Sequence, residues 1–196
     1  MANINDFKTH LSTGGARANQ FQVSLNFPNI TDGIVAATQG RFLCNAASLP
    51  SSTIGNIEVP YRGKIVNVAG ERTFDNWSVT VINENSFSIR SAFERWMDVI
   101  NHNSTLGGRI DPNRYQVQMQ VTQLDRNGTP LMTYEFHDAY PINIGAIALS
   151  YGDSNAIEEF TVDFQYNYWI NNNTNGGTGI GLNVGINAGP FGTIAL

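Results

Sequence analysis

Near the end of the chain, Glu158, Glu159 and Asp163 bring three carboxylates together, and in an extended segment Glu159 and Asp163 share a face. Such a pair could divide the work of general acid and base. No nucleophile, glycine-rich loop or histidine accompanies them, so they read as a solvated face. The histidines His10, His102 and His137 belong to three separate segments and form no metal or hydrolase motif. Cys44 is the one cysteine, which leaves no disulfide framework and no cysteine-based zinc site, and its apolar setting, RFLCNAASL, makes it a small core residue. Gly179, Gly181 and Gly185 have the wrong spacing for a dinucleotide loop, and no helix follows to receive a phosphate. Tyr166, Tyr168 and Trp169 could stack on bases or sugars, but alternation assigns most of these rings to a core. No catalytic residue, cofactor or metal is expected, and the chain is not expected to be an enzyme.

Strands would have to position these groups. Asn19 to Phe27 sets Phe21, Val23, Leu25 and Phe27 against Gln22, Ser24 and Asn26, the alternation of a half-buried strand. Gly40 to Ala47 is a second strand, and Ser51 to Asn56 is a loop. Glu58 to Tyr61 and Lys64 to Val68 form a hairpin turning at Arg62 and Gly63, and Trp77 to Asn83 is a strand burying Trp77, Val79 and Val81. A helix capped by Asn85 or Ser86 aligns Ile89, Phe93, Trp96, Met97 and Ile100 in one stripe. Tyr115 to Leu124 and Thr129 to His137 pair through Asn127-Gly128. The first of them alternates Gln116, Gln118 and Gln120 with apolar residues. Ala146 to Tyr151 reads as a short strand and Ala156 to Ile170 as a long one, with Trp169 out of phase. The fold class is mainly β, a sandwich or small barrel of about seven or eight strands with one packed α-helix. Residues 1–18 are an N-terminal arm, 19–170 the β domain, and 171–196 a Gly/Asn-rich C-terminal extension that is either flexible or adds to a neighbour's sheet edge.

Charged residues make up only 14% of the chain, against about 25% in ordinary soluble domains. Such sparing charge fits either a β-rich, loop-rich domain or a surface partly covered by neighbouring copies of the chain. All eleven Lys and Arg lie in residues 1–126, whereas residues 127–196 carry six acids and neither base. That distribution argues against a nucleic-acid clamp, which needs a basic stripe. The N-terminus lacks the pattern of a signal peptide, and no apolar run is long enough to span a bilayer, so no membrane partner is expected.

The segment Lys64-Ile65-Val66-Asn67-Val68-Ala69-Gly70-Glu71-Arg72-Thr73-Phe74-Asp75-Asn76-Trp77-Ser78-Val79-Thr80-Val81, with Leu43 to Pro50 before it and the helix of Phe93 and Trp96 after it, resembles the tail tube proteins of contractile-tailed bacteriophages. The superfamily includes the tubes of phage-like secretion machines. The likeness extends, more loosely, from about Phe21 to about Trp169. It implies a structural virion protein, assembled in a host cytoplasm, whose homohexamer rings stack helically into a tail tube. Its partners would be the tail sheath protein and the baseplate and tail terminator proteins, with transient, non-specific passage of double-stranded DNA.

On this reading the inter-subunit hairpin and signature comprise Glu58, Tyr61, Arg62, Gly63, Lys64, Gly70, Arg72 and Asp75, while Trp77, Phe93 and Trp96 belong to the core. The candidate lumen lining is Gln116, Gln118 and Gln120, or Gln22, Ser24 and Asn26. A lumenal lysine would be repeated in every copy and would hold DNA by its phosphates, so an uncharged or acidic lining is expected. Two other readings stand beside this one. The first is a tube-initiating baseplate protein or the tube of a secretion machine, distinguished by copy number. The second is a carbohydrate-binding β-sandwich, distinguished by glycan binding to a stable monomer.

Overall fold

The computed structural model describes residues 3, 4, 8, 9, 15–28, 43–105, 107, 108, 111–152, 155 and 157–171. Most of the arm, including His10, the start of the strand expected from Gly40, and the extension beyond Asn171 lie outside them. The elements in chain order are β1 (Phe21–Ser24), β2 (Cys44–Ala47), β3 (Thr53–Tyr61), β4 (Lys64–Thr73), β5 (Trp77–Ile82), α1 (Ser88–Ile100), a 3-10 turn (Pro112–Arg114), β6 (Val117–Leu124), β7 (Pro130–Ile144), β8 (Glu159–Gln165) and β9 (Tyr168–Asn171). Seven strands form one antiparallel sheet in the order β1-β6-β7-β8-β5-β2, with β9 also on β7; β3 and β4 stand apart as a two-stranded sheet. The fold is mainly β as expected, but the described strands do not close into a barrel.

The sheet folds over because β7 bends. Its first half pairs with β6 and β9, and its second half pairs with β8. The corner is Asp138, at φ 60, a left-handed conformation that short polar side chains tolerate best. The long strand expected over 156–170 breaks opposite that corner: Asn167 donates its backbone N–H to His137 O and its amide to Asp138. Tyr166 and Trp169 can both turn inward only because the alternation resets there, which accounts for the phase break at Trp169.

Both halves of the bent sheet bury one face on the same aromatic core. Trp77 stacks on Phe136 with centroids 4.2 Å apart, and Phe164 contacts Trp77, Phe93 and Trp96. The helix closes the open side with Ile89, Ala92, Phe93 and Trp96; of the expected stripe, Met97 and Ile100 are only partly buried, and Ala92 joins the buried face instead. Its start differs from expectation, since Phe87 at φ 53 occupies the cap with no side-chain bond, and Ser88 Oγ instead donates to Glu84. Two further corrections concern edges. Thr53 to Asn56 is strand, because Ala69 to Thr73 continues the hairpin and supplies partners; and Ala146 to Tyr151 is irregular, the pairing having been taken up by β7, which runs on to Ile144.

Phe164 is fully buried and ringed by aromatics, so Phe164→Ala should lower the unfolding free energy by about 3–5 kcal/mol. Val66→Ala, on the exposed hairpin, should change it by about 0.5 kcal/mol or less. Urea unfolding of dilute monomer measures both.

Candidate functional site

The β3–β4 hairpin is covered by none of the described residues of its own chain. Its register pairs Ile57 with Val68 and Val59 with Val66; opposed residues share a face, so these four and Tyr61 make one apolar surface, every member exposed. The other face carries Asn56, hydrogen-bonded to Asn67, and Glu58, and toward the tip Pro60 opposite the exposed Ile65. Arg62 and Gly63 at the tip have φ 48 and 82, the two left-handed residues of a turn that matches strand twist. Glycine takes that conformation without strain. Arg62 lies over the Tyr61 ring at 5.5 Å.

Three hydrogen bonds fasten the hairpin root. Trp77 Nε1 donates to Ser48 O at 2.8 Å, Ser51 Oγ to Asp75 at 2.6 Å, and Trp169 Nε1 to Ser51 O at 3.3 Å. Asp75 therefore fixes the hairpin base. Beneath it Phe74 meets the buried Tyr166, whose phenol is pushed up by burial and then by the charge of Asp75. Arg72, placed with Asp75 in the sequence signature, is exposed and has no ion pair among the described residues. Gly70 sits against the Gly55 backbone at the bulge, where an added Cβ would lie 3.1 Å from Gly55 O.

The two stripes considered separately for the lining belong to one surface. Gln22 opposes Thr122 and Ser24 opposes Gln120; Gln120 in turn opposes Glu135, and Thr122 opposes Thr133. These polar residues face away from the core. Gln120 donates to Glu135 at 3.1 Å, Gln118 lies 3.3 Å from His137 Nδ1, and His137 stacks on Tyr168 at 4.5 Å. The four strands of this surface contain no Lys or Arg. Gln116 falls outside it, in the turn before β6, and Asn26 lies past the end of β1, where its amide donates to Gln118 O. Register across strands joined these stripes, and no pattern within one strand could have found it.

The carboxylates of the other half-sheet act as acceptors. Asp163 receives Ser78 and Asn143, and Glu159 receives Asn45. Cys44 is half-buried, and burial pushes its thiol up to about 12, the Ala46 carbonyl contact opposing this. No group of three potential ligands among the described residues is placed to hold a metal. Nor is any described helix long and apolar enough to cross a membrane.

A family model described as "Phage tail tube protein" matches residues 16–172. The chain is 32% identical over 159 residues to the tail tube protein gp19 of Enterobacteria phage T4, covering 79% of this chain and 90% of that one. It is 28% identical over 171 residues to a tail tube protein of Serratia phage KSP90, covering 85% and 95%. Among solved structures, a chain of the anti-feeding prophage baseplate superposes with a TM-score of 0.60 at 15% identity, covering 80% of this chain and 95% of that one. A chain of the sheath/tube terminator of a PVC extracellular contractile injection system gives 0.56 at 15%, covering 80% and 96%.

Two outcomes test this geometry. Asp75→Ala removes one of the three root bonds, worth about 1 kcal/mol, so amide exchange across residues 51–75 should quicken while the core strands keep their protection; unchanged hairpin exchange would count against a fastened root. Cys44, whose folded thiol is raised above its unfolded value, contributes stability that is whole below about pH 8.5 and is lost as pH climbs toward about 12. Native protein at pH 8 should therefore react with a thiol reagent far more slowly than urea-unfolded protein.

Proposed function

Because this chain belongs to the phage tail tube protein family, we propose that its copies close into rings and that the rings stack into the inner tube of a contractile tail or of a related injection machine. The observation that carries the proposal is the free-standing β3–β4 hairpin. Two strands alone are marginal in water, and here Ile57, Val59, Tyr61, Val66 and Val68 are each roughly half exposed. Covering them would yield on the order of 5 kcal/mol per copy. A second copy is the partner that recurs wherever the first is made.

The outer strands supply the rest of the joint. β1 and β2 end the sheet, each paired on one side only among the described residues, and an unpaired edge is a template for another chain. Edge joined to edge around a closed rotation turns open sheets into one continuous wall. Six copies per ring is the number that the likeness to tail tubes implies. The polar surface of β1, β6, β7 and β9 then lines the channel. Gln22, Ser24, Gln118 and Gln120 offer hydrogen bonds but no cation, so duplex DNA meets no phosphate clamp in passing. The opposite outer surface faces a sheath, and ring faces meet baseplate and terminator proteins at the tube ends. The role is architectural, with no bond made or broken.

The secretion-machine reading shares this geometry and parts from the phage one in cargo. For the tube itself, negative-stain microscopy of purified protein should show long hollow fibres; a solitary monomer at high concentration would end the proposal, and single rings would make it an initiator. Arg72→Glu should shorten the fibres and lower their yield while leaving the monomer's Tm within about 2 °C. In assembled tubes, Gln120→Lys should create salt-sensitive retention of duplex DNA, since a ring would present about 6 phosphate contacts; DNA retained no better than by the parent tubes would place this surface outside the channel.

A further inference from the structure

Between β7 and β8, three apolar side chains of the described residues stand out in water: Leu149 is 80% exposed, Tyr151 112% and Ile157 72%. With Ile147, Glu158 and Glu159 they rim an open pocket of about 530 Å³. The two glutamates accept only from neutral amides, Glu158 from Asn83 at 2.8 Å and Glu159 from Asn45 at 2.6 Å, and neither meets a cation among the described residues. The complementary set stands on the hairpin tip. There Tyr61 and Ile65 are exposed beside Arg62 and Lys64, which pair with no acid among the described residues.

Strand register puts the pocket and the root of the hairpin at opposite ends of the main sheet. In the β5–β8 pair, Trp77 opposes Phe164 at the end from which the hairpin leaves, and Ile82 opposes Glu159 at the end where the pocket opens. An apolar, cationic protrusion therefore leaves from one end of these strands, and an apolar, anionic recess lies at the other.

We propose that the pocket lined by residues 147–151 and 157–159 receives the hairpin tip of a second copy, with Tyr61 and Ile65 against Leu149, Tyr151 and Ile157, and Arg62 and Lys64 against Glu158 and Glu159. This rests on the reading that the hairpin joins copies, and it adds the surface that takes it and the direction of the joint. Protrusion and recess are different surfaces, so the contact is head-to-tail and the assembly has a polarity along the strands. Charges of opposite sign select the tip over other apolar segments.

The test is assembly of the full chain by sedimentation and negative stain. Reversing the tip (Arg62→Glu with Lys64→Glu) or the pocket (Glu158→Lys with Glu159→Lys) should raise the concentration needed for assembly by about tenfold or more, and combining the four substitutions should recover much of that loss. Leu149→Asp, at a side chain so exposed that folding is spared, should weaken assembly of the parent chain as well. Parent protein that assembles while both reversed variants and Leu149→Asp assemble equally well overturns this inference and leaves the tube reading standing. So does a fourfold variant no better than either reversed pair. Parent protein that never associates overturns both.

Discussion

The side chain of Trp77 ties the molecule together at two levels. Its ring lies on Phe136 and against Phe164, so it joins the two halves of a sheet that Asp138 has bent apart. Its Nε1 donates to Ser48 O, so the same residue holds the root of an element that leaves the body altogether. An indole suits both tasks, being a large apolar plate with a single directional donor at its rim. A phenylalanine there would keep the plate and lose the tether. The packing of the core and the placement of the hairpin are thus not independent.

How much of this could be read from the residues depended on distance along the chain. Alternation in Trp77-Ser78-Val79-Thr80-Val81 and the helical spacing of Ile89, Phe93 and Trp96 were legible because each pattern is local and each buried face is continuous. The Arg62-Gly63 turn was equally plain. The corner at Asp138 was not, since aspartate in a strand gives no sign that it will take positive φ; the strand expected at Ala146 and the unbroken strand over 156–170 both failed for that reason. The helix start was misplaced because Phe87 bends the chain where Asn85 and Ser86 had the better capping chemistry.

The candidate surface divides in the same way. Gln22, Ser24, Gln118 and Gln120 were visible as polar stripes, but a stripe does not say which other stripe lies beside it. Only the pairings of Ser24 with Gln120 and of Gln120 with Glu135 make them one surface. Gln116 and Asn26 continued the alternation by letter and left it in space, one drawn into the turn after Pro112 and the other spent on the carbonyl of Gln118. The alternation of Ile147, Leu149 and Tyr151 pointed to a strand with a buried face, whereas the folded chain leaves Leu149 and Tyr151 exposed in a loop.

The left-handed pair Arg62 and Gly63 also has a geometric consequence. A turn with both central residues at positive φ matches the right-handed twist of the strands it joins, and each strand step along β3 and β4 adds to that rotation. Whatever grips the far end of the ribbon is therefore swivelled by a set angle relative to the body at its near end. Were copies joined through it, a swivel of constant hand would wind their stack into a screw, and the chirality of L-amino acids would pass from a single bend in the backbone to the pitch of the whole.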